Sequence, residues 1–201
     1  MPLIKDNQIV DDPWIALEDD DPVPSWAFPI VSLERWRAER STLEQRNGPL
    51  GLRLRSDQAP DEIAADLHRF SVIALEFPKF TDGRAYSSAR LLRERHGYTG
   101  ELRAVGQVLR DQAIFMVRCG FDAFEVADGT PIEGWLSALA GISAWYQASS
   151  DDRTPIPALR RRRPGSNGGG ESVEATPAPE STSAPVKTAA SAESETVALA
   201  S

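Results

Sequence analysis

Between residues 28 and 146 the apolar positions switch repeatedly between runs of strand length and stripes of helical spacing. Phe28 to Val31 reads as a strand, followed by a helix that Ser32 can cap, with Leu33, Trp36 and Leu43 on its apolar side. Leu50 to Leu54 alternates like a half-buried strand, and Pro60 opens a helix with Ile63, Leu67 and Phe70 on one face. Val72 to Phe77 is nearly all apolar, the pattern of a strand covered on both sides. Three more elements repeat the device: a helix over 85–96 ending at Gly97, a strand over 101–105, and a helix over 108–119 ending at Gly120. The last strand is Phe121 to Val126. Thr130-Pro131-Ile132-Glu133 has the form of a capping box before a helix carrying Trp135, Leu139, Ile142 and Tyr146.

Strands alternating with helices through short turns predict an α/β fold, with repeated βα units forming a parallel sheet joined by right-handed crossovers. Five units fit a flavodoxin-like sheet or a partial β/α barrel and fall short of the eight of a closed barrel. Ahead of this domain, placed at 25–148, residues 1–24 form a short N-terminal arm. In it Leu3-Ile4 and Ile9-Val10 flank the turn formers Asp6-Asn7, a hairpin pattern, and Trp14, Ile15 and Leu17 offer surface that must pack on the domain. Residues 149–201 are rich in Ser, Thr, Ala, Pro, Gly and Glu, too poor in large apolar groups to offset the entropy of ordering, and are expected to be a disordered tail. The tail's Gly165 to Gly170 has no strand before it and reads as linker. Arg160 to Arg163 is a solvated basic run.

Charge sharpens this division. The 201 residues carry 30 acidic and 22 basic side chains, a formal charge of -8, which argues against a nucleic-acid partner or an anionic membrane surface. Most of the excess lies in the arm, where seven acids face the single base Lys5. The central domain is nearly neutral, and every base in it except Lys79 is arginine, the side chain suited to bidentate capture of oxyanions. One cysteine, Cys119, and two histidines leave no disulfide or multi-Cys metal site within the chain, and a stripe shared with Phe115 makes Cys119 a buried inert thiol. Without a leader-like N-terminus or a run long enough to span a bilayer, the expected compartment is the cytoplasm.

In parallel α/β folds ligands sit beyond the carboxyl ends of the strands, which directs attention to three loops, the third of which, Ala127-Asp128-Gly129-Thr130, turn and cap chemistry explains. In the first, Lys79 and Arg84 flank the turn Asp82-Gly83 at a helix start, a candidate anion site; the competing explanation is an Asp82–Arg84 surface pair. In the second, Gly106 permits close approach at the end of a strand that carries Arg103, and Arg110 and Asp111 open the next helix. Arg110 stands where the helix dipole disfavours a cation, so it answers an anion, either a ligand or a carboxylate such as Asp111 or Asp82. Lys79, Arg84, Arg103 and Arg110 are thus the anion-binding candidates, supported by Asp82, Gly83, Gly106 and Asp111. No residue is singled out as catalytic, no cofactor motif is present, and whether the protein is an enzyme stays open at this point.

The string Phe77 to Arg84, with Ala89 to Arg93, Gly100 to Gly106, Arg110 to Gln112 and Arg118 to Phe124, resembles a bacterial family catalogued as domain of unknown function 934. The resemblance covers about residues 1–148. It implies proteins encoded beside sulfite-reductase and sulfate-assimilation genes and often labelled oxidoreductases, with no established reaction or catalytic residue. Two expectations follow. One is an auxiliary protein of assimilatory sulfate and sulfite reduction that docks on sulfite reductase or its electron donor through the acidic arm. The other is an enzyme acting on a sulfur oxyanion or phosphorylated sulfur compound through the four cations.

Overall fold

A computed structural model describes residues 1–141, 145–150 and 155–158. The hairpin forms as the pattern predicts: β1 (Leu3–Lys5) and β2 (Gln8–Val10) pair antiparallel around Asp6 and Asn7, both at positive φ (51° and 60°), as a tight turn between right-twisted strands requires. There follow β3 (Trp14–Ala16), β4 (Phe28–Ser32), β5 (Leu50–Leu54), β6 (Phe70–Phe77), β7 (Glu101–Gly106) and β8 (Ala123–Glu125). Strands β3 to β8 are parallel and lie in chain order. Strand β1 pairs antiparallel with β8, so the arm supplies both edges of an eight-stranded mixed sheet, β2-β1-β8-β7-β6-β5-β4-β3. Six strands therefore meet the parallel expectation and the hairpin does not.

The sheet is curled into a half-barrel, and the chain itself requires the curl. Val10 and Trp14 are joined by at most about 15 Å of backbone, whereas a flat sheet would hold β2 and β3 about 34 Å apart. The linking strap Asp11–Pro13 runs across the concave face, where Asp12 meets Arg103 of β7. Trp14 and Val105 close over Ile30, Val72 and Ala74 on that face.

The helices cover the convex face: α1 (Leu33–Ala38), α2 (Arg40–Glu44), α3 (Arg84–Arg90), α4 (Ala113–Arg118) and α5 (Ile132–Ala140). Val31, Leu52, Ile73, Leu75, Leu102 and Phe124 from the strands pack on Leu33, Trp36, Leu92, Met116 and Trp135 in one buried cluster. Several predicted helices are shorter than their pattern. The first breaks at Glu39, Arg37 turning to Glu62 and Arg40 to Asp66. In place of a helix after Pro60 there are two 3₁₀ turns, 60–63 and 67–69, because buried Asp66 accepts from Trp36 Nε1 (3.1 Å) and Arg40, and Phe70 is already the first residue of β6. The segment after α3 widens into a π turn, with the His96 N–H reaching Leu91 O, and α5 starts one residue late. Pro131 rather than Thr130 then holds the N-cap position, so the capping box is not made.

The chain ends that enter β7 and β8 are sewn together by Arg93. Its guanidinium donates to the carbonyls of Gly120 (3.0 Å), Tyr98 (2.6 Å) and Gly100 (2.8 Å) and to Asp122 Oδ2 (2.8 Å), while Asp122 Oδ1 accepts from Leu102 N (2.9 Å). Gly120, at φ 103°, leaves the room this needs: a Cβ there would lie 2.5 Å from Arg93 Cγ. No described helix is long and apolar enough to cross a membrane. The tail beyond residue 158, with Arg160 to Arg163 and Gly165 to Gly170, lies outside the described residues.

Candidate functional site

The loops after β4, β5, β6 and β7 open at one end of the sheet, because parallel strands in chain order deliver every βα loop there. Gly83 N-caps α3, and Asp82 accepts from the Arg84 backbone N–H (3.2 Å) and from its guanidinium (3.0 and 2.7 Å), which also reaches Ser56 Oγ (2.9 Å) across to the β5 loop. These bonds hold the Asp82 carboxyl well below the usual carboxylate range. The competing explanation for this turn, a surface pair, is therefore the arrangement formed.

The next loop is fixed by two glutamines. Gln107 Oε1 accepts from Phe80 N (3.3 Å), and Gln112 Nε2 donates to Phe80 O (3.2 Å) while its Oε1 accepts from Tyr86 Oη (3.1 Å). Tyr86 in turn lies edge-on to Phe115, centroids 4.9 Å apart. Gly106 has φ 90° and backs onto Phe77, whose carbonyl would stand 2.6 Å from any Cβ, so the close approach expected at this position is to the protein's own backbone. Lys79 and Arg110 are exposed, and neither side chain has a hydrogen bond or ion pair among the described residues. Arg110 lies over Gly134 at the start of α5.

Arg103 is elsewhere. Its side chain projects to the concave face, 1% exposed, between Asp12 (2.6 and 3.1 Å) and Glu101 (2.9 Å), and Glu101 also accepts from Lys5 (2.8 Å). The structure thus brings Asp82, Gly83 and Arg84 together, places Lys79, Gly106, Arg110 and Asp111 on neighbouring loops of the same end, and sets Arg103 apart in a four-membered chain of alternating charge. Two members of that concave face were missed by the sequence reading: Asp12, 91 residues from its partner, and Glu76, whose Oε2 is buried without a hydrogen bond, 3.8 Å from Arg53 Nε. The period-two alternation of β6 could have shown that Glu76 shares a face with Val72 and Ala74.

Cys119 is buried, and burial pushes its thiol up, away from the reactive thiolate. Arg90 pairs with Glu94 (3.0 Å), as their spacing predicts, and His96 Nε2 lies 2.8 Å from Asp61. Among the described residues no group of three His, Cys, Asp or Glu side chains could hold a metal ion. At the arm, buried Arg35 donates to the backbone carbonyls of Glu18 (2.7 Å) and Asp21 (2.6 Å), and Ser32 Oγ donates to Asp19 (2.5 Å).

The fold and this loop end define an α/β half-barrel protein that presents cations and aromatic groups beyond the carboxyl ends of its strands. Within that class the chain belongs to a family of bacterial proteins of unknown function, domain of unknown function 934, whose model matches residues 51–157. No curated protein and no solved structure matches it.

Proposed function

We propose that the protein is an auxiliary, docking component of assimilatory sulfite reduction that works in the cytoplasm and binds sulfite reductase or its electron donor through the acidic loop 18–21. The observation that carries this is the way Arg35 holds the loop: both of its terminal nitrogens are spent on main-chain carbonyls, so the loop is fixed while, among the described residues, the carboxylate of Asp20 stays unpaired and exposed and that of Asp21 accepts only from Glu18 N. A fixed acidic surface attracts a basic partner at long range and docks it with little ordering cost. The placing within sulfite reduction rests on the family resemblance. The distribution of the cations also favours docking over the alternative of an oxidoreductase with a four-cation site, since Arg84 and Arg103 already serve carboxylates of the chain.

Pull-down of sulfite reductase from the same cell tests the proposal. Co-purification should be seen with the parent chain and lost with Glu18→Lys and Asp20→Lys together, a pair that leaves the Ser32–Asp19 bond intact. Failure of the parent to co-purify overturns the docking proposal. An absorbing cofactor in the purified protein, with turnover of sulfite, would favour the enzyme.

A further inference from the structure

Around the Gln107 and Gln112 clamp three large apolar side chains are left in solvent: Phe80 (48% exposed), Leu109 (38%) and Phe115 (59%). They form one neighbourhood. Phe80 is bonded through its backbone to Gln107 and Gln112, Leu109 lies between those two glutamines and accepts from Gln112 N (3.1 Å), and Phe115 packs on the Tyr86 ring whose hydroxyl Gln112 holds. Beside Phe115, between α3 and α4, a cleft of about 960 Å³ opens, lined by Tyr86, Asp111, Phe115, Trp145 and Tyr146 among others. Apolar side chains scattered singly on a surface need no explanation; several on clamped loops beside a cleft wide enough to admit a large side chain do.

The charges around the patch select the occupant. Lys79 adjoins Phe80 and Arg110 adjoins Leu109, and both are exposed and unpaired among the described residues. Asp82 is taken by Arg84 and Glu94 by Arg90, which leaves Asp111 as the one unpaired carboxylate of the β6 and β7 loops among the described residues. The local balance is therefore positive on a chain of net charge -8. An anionic bilayer would be repelled by the rest of the molecule and would leave the cleft unfilled.

We infer that the Phe80, Leu109 and Phe115 surface, with its neighbouring cleft, docks a peptide segment of a partner protein in which a large apolar anchor is flanked by carboxylates that meet Lys79 and Arg110. This surface shares no residue with loop 18–21, so the inference stands whether or not the arm binds sulfite reductase.

Selection from a random peptide display library against the whole chain, followed by affinity measurement with labelled synthetic peptides, tests it. Enriched peptides should pair Leu or an aromatic residue with Asp and Glu, and their affinity should fall as salt is raised. Phe80→Ser should weaken binding at least about tenfold, the loss expected for a buried anchor. Lys79→Glu with Arg110→Glu should do the same, while Glu18→Lys with Asp20→Lys leaves it unchanged. Basic or uncharged consensus peptides, no enrichment at all, or binding indifferent to the three loop changes would overturn the proposal. It is equally overturned if those changes instead abolish a concentration-dependent dimer in light scattering, or adsorption to phosphatidylglycerol vesicles, because the occupant would then be a second copy or a membrane.

Discussion

The turns that lead into β7 and β8 and the loops that leave β6 and β7 use arginine in opposite ways. At the amino ends, Arg93 is largely buried and its guanidinium satisfies three carbonyls and Asp122, joining the turns that feed β7 and β8. At the carboxyl ends, Arg84 is mostly exposed and bonds its near neighbour Asp82 and Ser56, while Lys79 and Arg110 have no partner among the described residues. The difference follows from where backbone polar groups are stranded. Where a chain enters a buried strand from a tight turn its carbonyls have no ladder partner and a fork-shaped donor can serve several at once. Where it leaves, the loops are longer and wetter, and cations are free to meet something else. The entry turns of β7 and β8 are built to hold the sheet and the exit loops of β6 and β7 to present groups. At the exits of β3 and β4, buried Arg35 holds the carbonyls of Glu18 and Asp21 much as Arg93 does at the entries.

Arg93→Ala should therefore have the largest effect on stability, on the order of 3 kcal/mol, because it strands three carbonyls and a partly buried carboxylate together. Chemical denaturation measures it, and a loss no larger than that of a surface change would remove the distinction between the ends. Gly106→Ala is the exception expected at the carboxyl end. The left-handed backbone alone costs about 1 to 2 kcal/mol with a side chain, and the Cβ would press on the Phe77 carbonyl. Gly83→Ala is the matched control, since its φ is negative and only a ring carbon of Tyr86 lies near, at 3.8 Å; it should remain close to the parent.

Much of this contrast could be read from the sequence, and the omissions have physical causes. The hairpin at Asp6-Asn7, strands β4 to β8 and the turns at Gly97 and Gly120 are set by local chemistry, so the pattern found them, whereas β3, three residues long and formed only by pairing with β4, read as no more than apolar surface of the arm. The sequence left an open flavodoxin-like sheet and a partial β/α barrel both standing; what decides for the curl is a three-residue strap joining opposite edges of the sheet, and neither Asp11, Asp12 nor Pro13 announces that path. Arg103 looked like a ligand-binding arginine in a strand for the same reason: its partner Asp12 lies 91 residues away in a segment that reads as a loose acidic arm. The helices were drawn too long where side chains took over the backbone's role, as Asp66 does for Trp36 and Arg40. At the carboxyl end, Lys79, Arg84 and Arg110 were found by residue type and position alone. The glutamine clamp that fixes Phe80 escaped, since amide pairs across two loops leave no spacing to recognise.

The pH dependence of stability probes the amino end more finely. Burial pushes the Asp122 carboxyl up, to about 6, with Arg93 and the Leu102 N–H pulling the other way. A group whose folded pKa lies above its unfolded value contributes most when it is protonated in both states, and that contribution is lost as pH rises through the folded pKa. The stability of the parent relative to Asp122→Asn should thus decline between pH 4 and pH 6 and then level off. A rise over that interval would mean that the Arg93 ion pair outweighs burial.

The smallest effect is expected from Arg84→Ala. Its guanidinium is exposed and its partners Asp82 and Ser56 are reachable by water, so thermal melts of variant and parent should coincide within error. What should change is the order of the loop: without Arg84 the β5 and β6 loops lose the Arg84–Ser56 link, and amide exchange at Lys79 to Gly83 should quicken while exchange at Tyr98 to Leu102 is unaffected. Equal quickening at both ends would show that Arg84 supports the sheet as Arg93 does, and the carboxyl-end loops would lose their standing as a surface free to bind.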